Sequence, residues 1–285
     1  ITSRSLLVTE AKRVPGFSGD PVKAVQALPG VTRSLFGSTE IILRGADWYD
    51  NKYYIDGIEI PFLWHEIGAT CVLNPNLIDN VSLYTGGFST RYGDALGGVI
   101  DITSKKARAD RVHVIADFNL ATASLNLEIP FTKKLSFTGA IRREYYMSLV
   151  NFLSKNFIDE DLGINLYYWD YSLRLDYQPK PDHNLFCEFI SAKDTMYQTI
   201  QNDRVGVDDS YNFGKSFKTF VTGWDWNNSN GLKNTLRYGL APKDEAYAFS
   251  ESETSYKGSA DGYEHTLRDE FTIHKFRLFK PSVGL

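Results

Sequence analysis

The sequence predicts a glycine-punctuated, β-rich amino-terminal region followed by long alternating strands of a membrane β-barrel. Three observations carry that reading. Paired glycines sit beside β-branched residues within residues 76–106. Beyond residue 130, stretches of about ten residues alternate apolar with polar side chains, the length a tilted strand needs to cross a bilayer. The connections between those stretches alternate too, short then long.

Residues 76–106 read NLIDNVSLYTGGFSTRYGDALGGVIDITSKK. A short apolar strand (Val81, Leu83) meets a break at Gly86-Gly87. A compact turn around Arg91-Tyr92-Gly93, a second pair Gly97-Gly98 and a closing strand VIDIT follow. Such glycines mark sharp turns or a close approach of another backbone.

In the second half, Tyr167, Trp169, Tyr171, Leu173, Leu175 and Tyr177 share one strand face, with Tyr168, Asp170, Ser172, Arg174 and Asp176 on the other. LRYGL repeats the pattern, as Leu232, Leu236, Tyr238 and Leu240 oppose Lys233, Thr235 and Arg237. In KLSFTGAIRR, Leu135, Phe137 and Ile141 oppose Ser136, Thr138 and Arg142. The strand over 184–193 is less clean, because Phe186 and Ile190 fall opposite Leu185 and Phe189. Short turns are expected at 130–134, 178–184 and 227–231, and longer polar segments near 145–163, 194–214 and 249–262. Segregated loop lengths belong to outer-membrane barrels. A soluble sandwich with one buried face is the competing explanation of the alternation.

Composition agrees with a membrane sheet. Seventeen tyrosines and eighteen phenylalanines suit a sheet with an aromatic surface. A net charge of -4 with no basic stripe gives no argument for nucleic acid. No apolar run is long enough for a transmembrane helix, and no basic-then-apolar signal opens at Ile1. Neither observation excludes a barrel, whose strands need only alternate. Cys71 and Cys187 fall in different parts of the chain, so no disulfide is expected between them.

Residues 76–106 resemble the closing third of the plug domain of TonB-dependent outer-membrane transporters. The family pattern has Gly-Pro where Gly86-Gly87 stands here, followed by Tyr-Gly (Tyr92-Gly93) and Gly-Gly (Gly97-Gly98). Upstream, DPVKAVQALPGV (20–31) is similar to the family's early helix and Leu-Pro-Gly-Val turn. IILRG (41–45, ending in Arg44-Gly45) and YYIDGIEI (53–60, with Asp56-Gly57) are similar to its next two strands, in the family's order. The resemblance covers roughly residues 15–106. It implies an α+β plug domain over 1–106, then the amino-terminal part of a transmembrane barrel over 107–285, about eight of an expected twenty-two or so strands. Eight strands cannot enclose a plug of roughly a hundred residues, so the first third of a larger barrel is expected. The family's TonB box is not recognisable before Pro15, and it lies upstream of Ile1 or has diverged.

No active site is found. His65-Glu66 begins like a zinc motif, but no second histidine arrives at the required spacing. His113, His183, His265 and His274 show no ligand spacing, so neither a metal nor another cofactor is expected. The glycine pairs precede no Lys-Ser/Thr and open no helix, so they are not phosphate loops. Asp56 before glycine reads as a turn residue rather than a catalytic acid.

What the resemblance implies is binding. The plug's apical loops should be 46–51, with Asp47, Trp48, Tyr49 and Asp50, and 61–68, with Trp64, His65 and Glu66. Aromatics with polar tips in a concave site can stack on planar ligands. For Trp48 and Trp64, packing against plug core or barrel wall is the equal alternative. Arg44 pairs, in the family, with acidic groups on the wall. The remaining motif residues, Gly45, Asp56, Gly57, Gly86, Arg91, Tyr92, Gly93, Gly97 and Gly98, are expected to be structural. The resemblance further implies a Gram-negative-type outer membrane and import of a scarce bulky solute such as a siderophore, cobalamin, glycan or peptide. Its implied partners are a TonB-type inner-membrane protein, outer-membrane lipid and a surface-exposed substrate-binding lipoprotein. Two rival functions stand beside import: a plugged receptor or assembly protein without transport, and a soluble β-rich carbohydrate-binding module.

Overall fold

The computed structural model describes residues 3–11, 19–33, 41–65, 70–158, 164–200, 209–242, 245–251, 254–260, 262–273 and 282–284. In the amino-terminal part, β1 (Ser3–Leu7) leads into α1 (Val8–Ala11). Six strands follow: β2 (Val31–Arg33), β3 (Ile41–Leu43), β4 (Lys52–Ile55), β5 (Ile58–Ile60), β6 (Ile78–Tyr84) and β7 (Val99–Ser104). Five of these seven strands form one sheet, ordered β1-β6-β7-β4-β5, in which β4 and β7 run parallel. β2 and β3 pair apart from it. The early helix is a single 3-10 turn, Lys23–Ala27. The Asp20 carboxylate caps the chain there, accepting from the backbone N–H groups of Val22 (2.9 Å) and Lys23 (3.2 Å).

Two glycines in this sheet answer geometric demands. Asp56 (φ 49°) and Gly57 (φ 82°) are both left-handed and close the two-residue β4–β5 hairpin, a turn that Asp-Gly favours. At Gly98 a Cβ would lie 2.4 Å from Leu43 Cδ1 and 2.8 Å from the Tyr84 carbonyl oxygen. Gly93 departs from expectation: its φ is not positive and nothing crowds it. Its neighbour Asp94 takes the left-handed conformation instead (φ 54°).

The second part is an antiparallel wall. Its strands are β8 (His113–Phe118), β9 (Thr122–Pro130), β10 (Leu135–Glu144), β11 (Ile164–Tyr177), β12 (His183–Ile200), β13 (Asp209–Asn227) and β14 (Leu232–Pro242). A separate hairpin, β15 (Glu245–Glu251) and β16 (Thr254–Ala260), precedes β17 (Tyr263–Ile273) and β18 (Ser282–Gly284). Among the described residues, nine strands form the wall in the order β18-β17-β14-β13-β12-β11-β10-β9-β8, one more than the approximate count expected. Between β10 and β11 lies a short helix, α2 (Tyr146–Leu153).

The three short turns lie at one end of the wall, and the long connections at the other, where the β8–β9 hairpin is the short exception. The expected loop over 194–214 is shorter than its polarity suggested. β12 and β13 stay paired from His183↔Trp226 out to Ile200↔Asp209. At 18 and 19 residues they outrun the nine to eleven or so that cross a bilayer, and their polar ends extend past it.

Side-chain alternation on β11 is as expected. Tyr168, Asp170, Ser172, Arg174 and Asp176 are buried against the amino-terminal domain, while Tyr167, Leu173, Leu175 and Tyr177 are exposed outward. Near the short-turn end, His183 stacks on Trp224 (5.7 Å, 6°) and Trp226 (6.4 Å, 30°) on the outer face. Such aromatics suit a membrane interface. The irregularity of β12 has a packing cause. Phe186 and Ile190 face inward and are buried, because the apolar tip of the amino-terminal domain docks there. Ile58 clusters with Phe186 and Val221, and Ile190, Ala192 and Phe217 join its main core.

Candidate functional site

The amino-terminal domain seats on the wall through three polar stations and the apolar contact just described. At the β4–β5 turn, Arg174 from β11 donates through Nη1 to Asp56 Oδ2 (2.7 Å) and Ser104 Oγ (2.6 Å). The same nitrogen meets Glu188 Oε2 (3.1 Å), while Nε and Nη2 hold Asp176 (2.9 and 3.0 Å). The guanidinium also lies 3.9 Å from the Phe186 ring centroid. One cation thus faces three carboxylates, all nearly excluded from solvent.

The second station is Arg268 on β17. It donates to the carbonyl oxygens of Gly57 (2.8 Å) and Arg91 (2.6 Å) and sits over Tyr92. Tyr92 itself is buried between Tyr54 and Tyr84 and donates to Asp101 Oδ2 (2.6 Å). Burial, and after it the charge of Asp101, hold the Tyr92 phenol far above its usual range. Arg91 Nε reaches Glu270 at 3.7 Å. The Arg-Tyr-Gly motif is therefore a docking element as well as a turn.

The third station lies under the apical loop that follows β5. His65 is completely buried, with Nε2 3.1 Å from Asp170 Oδ2 and Nδ1 against Asp194 Oδ1. Its ring stacks on Tyr168 at 4.3 Å. Arg142 binds the same Asp170 (Nε, 2.8 Å) and donates through Nη1 to Thr70 Oγ1 (2.8 Å) and through Nη2 to the Cys71 carbonyl. Asp20 accepts from the Cys71 N–H (2.8 Å) and the Thr70 hydroxyl (3.3 Å). Complete burial alone would lower the His65 pKa, but the bonds to Asp170 and Asp194 and their charges outweigh it and leave the pKa raised. Burial pushes the Cys71 thiol well up.

This geometry divides the sequence-expected ligand residues. Trp64 is buried in the core, edge-on to Tyr53 at 5.7 Å, and His65 is locked to the wall. Neither offers an accessible face, so the expectation that both face the lumen is corrected, and further wall could only bury them more. The 46–51 loop forms a 3-10 turn, Trp48–Asp50, closed by Asp50 N–H to the Asp47 carbonyl (3.1 Å) and Asp47 N–H to Asp50 Oδ2 (3.1 Å). Tyr49 is 65% exposed there, and a hydrogen bond to Asp47 raises its phenol pKa. The Trp48 side chain and the whole of Glu66 lie outside the described residues. Arg44 is exposed, makes no ion pair among the described residues, and rests its guanidinium against Gly86. Both cysteines are free.

Sequence reasoning found the inward face of β11 but not its meaning. Glu188, Asp194 and Arg268 were missed. Their signal, a charged residue on the inward face of an alternating strand, becomes visible only once that face is known to meet another domain.

A globular domain seated on the inward face of an open antiparallel wall is the architecture of a plugged β-barrel. Residues 9–99 match the family model of the TonB-dependent receptor plug domain. The fold as a whole is similar to a mutant ferric enterobactin receptor PfeA from Pseudomonas aeruginosa in complex with enterobactin. The TM-score is 0.64 at 15% identity, over 99% of this chain and 48% of that one. It is similar to Pseudomonas aeruginosa FpvA bound to heterologous pyoverdines (TM-score 0.66, 13% identity, 99% and 41% covered). It is likewise similar to the Escherichia coli outer membrane transporter YddB (TM-score 0.66, 12% identity, 99% and 47% covered). The chain spans less than half the length of these three structures. A search of curated proteins by sequence finds no match. Residues 9–99 thus match a TonB-dependent receptor plug domain, and the chain as a whole has the fold of a plug seated on part of a β-barrel wall.

Proposed function

We propose that the protein imports a scarce, bulky solute across the outer membrane, the plug gating the barrel lumen and a TonB-type inner-membrane protein supplying the work. The division at 1–106 and 107–285 is adopted with it: the plug sheet ends at Ser104 and the wall begins at His113. The observation that carries the reading is the seat itself. The plug is held by side-chain contacts to the wall, whereas the wall strands are held to each other by continuous backbone ladders. A seat of that kind can yield while the wall stays intact. In this reading the exposed apical turn with Asp47, Trp48, Tyr49 and Asp50 touches the solute. The solute class stays open among iron chelates, cobalamin, glycans and peptides, since fold does not fix ligand. A surface lipoprotein and outer-membrane lipid are the other partners proposed.

The test is uptake of a labelled solute panel by cells expressing the full-length gene, with and without the TonB-type protein. Import is expected to vanish without that partner while surface binding persists. Binding without import in either strain would favour the non-transporting receptor.

A further inference from the structure

His65 is hydrogen-bonded in a way that a neutral imidazole cannot satisfy. Its two ring nitrogens face carboxylate oxygens on different wall strands, Asp170 on β11 and Asp194 on β12. A carboxylate accepts and does not donate. A neutral ring has one N–H, so one of the two contacts would set a lone pair against an anion. With both carboxylates ionised, only the imidazolium makes both contacts favourable.

The surrounding charges agree. Facing the ring are Asp170 and Asp194 from the wall, Arg142 on β10 bonded to Asp170, and Lys215 on β13, 3.8 Å from Asp194. The plug adds Asp20, bonded to Thr70 and Cys71 beside the Arg142 contact, and the neutral Cys71 thiol. Tyr168 is stacked and neutral. Glu144 on β10 is buried on the same side as Arg142, and its charge acts on Tyr168; a charged His65 adds a cation to a group rich in carboxylates.

We propose that His65 rests as an imidazolium donating to both Asp170 and Asp194, and so forms a proton-dependent latch between the apical plug loop and two adjacent wall strands. The latch rests on the proposed gating role only for its consequence, because its charge state can be read without any transport. A pKa raised in the docked state means the proton stabilises docking. That stabilisation is fully present below about pH 6.5, the ordinary imidazole value, and is lost as pH rises through the docked-state pKa.

Two measurements on the full-length receptor test it. The first uses nitrogen-15 histidine spectra of the wild type in lipid, with the His65 signal assigned by its displacement in Asp194→Asn. Both ring nitrogens should carry protons at pH 7; a single protonated nitrogen at that pH overturns the proposal. The second uses Cys71 as a reporter, since its thiol is buried at the latch. In a Cys187→Ser background, its labelling by a water-soluble thiol reagent is divided by that of the same protein carrying His65→Gln. Between about pH 6.5 and the docked-state pKa the ratio should climb with pH, by up to about tenfold per unit for one proton, and level off above it. A ratio flat from pH 6 to 9 overturns the latch. If His65→Gln fails to insert, a free-thiol peptide replaces it as the reference, and the same rise or its absence decides. Loss of transport with both readouts as expected would count against the import reading alone.

Discussion

Replacing Arg174 with methionine removes the cation on which one whole corner of the plug seat depends. Arg174 is 5% exposed, and Asp56, Asp176 and Glu188 around it are 5%, 6% and 1% exposed. Methionine keeps much of the volume over Phe186 but leaves three enclosed carboxylates facing one another. Breaking a buried pair from one side costs about 3–5 kcal/mol, most of it from the charge left behind. Only Asp56 belongs to the plug, so undocking the plug relieves part of that repulsion and the cost falls on the docked state. Because Asp176 and Glu188 stay together on the wall, the equilibrium for plug release should shift by a part of that cost, at least about tenfold and at most almost four orders of magnitude, at about 1.4 kcal/mol per decade. The assay is limited proteolysis of the plug in the detergent-solubilised full-length receptor, with barrel melting followed in parallel. Release should rise while the barrel melts unchanged. Adding Asp56→Asn, which tolerates the left-handed turn, should recover part of the loss through a double-mutant coupling of 1 kcal/mol or more. Release unchanged by Arg174→Met, or strictly additive variants, would refute the reasoning.

Other variants separate structural from ligand roles. Gly98→Val should cut the yield of folded plug sharply, because its side chain would enter the space of Leu43 and the Tyr84 carbonyl, while Gly93→Val should express as wild type; quantified insertion decides both. Trp64→Ala should destabilise the plug by about 3–5 kcal/mol, seen in denaturant melts, since it empties a core site against Tyr53. Trp48→Ala and Tyr49→Ala should insert normally and weaken solute capture, measured by binding to intact cells; normal capture by both would remove this turn from the ligand floor. Phe62→Ala should loosen the seat by about 1 kcal/mol or more in the proteolysis assay, as its edge contact with Phe217 (4.9 Å, 87°) is lost.

The wall was legible because its signals are local. Alternation on β11 follows from the two-residue strand period, and turn chemistry announced the short connections at 130–134, 178–184 and 227–231 but not the β8–β9 hairpin. The order of plug motifs was legible as well, since turns such as Asp56-Gly57 demand particular residues. What stayed hidden depended on contacts across the chain. His65 meets Asp194 over 129 residues, and no local pattern reports such a partner. Trp64 and Trp48 looked equivalent as aromatics in apical loops, yet Trp64 pairs with Cys71 through a β-bridge and is buried in the core. The apolar inward residues of β12 read as noise until Ile58 gave them a partner.

The central claim is that the plug seat yields when the inner membrane is energised. Cys71 in a Cys187→Ser receptor reports it directly, because its thiol is fully buried while the plug is docked. In intact cells supplied with a transported solute, labelling of Cys71 should accelerate when the membrane is energised and the TonB-type partner is present. A protonophore, or loss of that partner, should return it to the resting rate. Labelling at one rate in all three conditions would contradict the account.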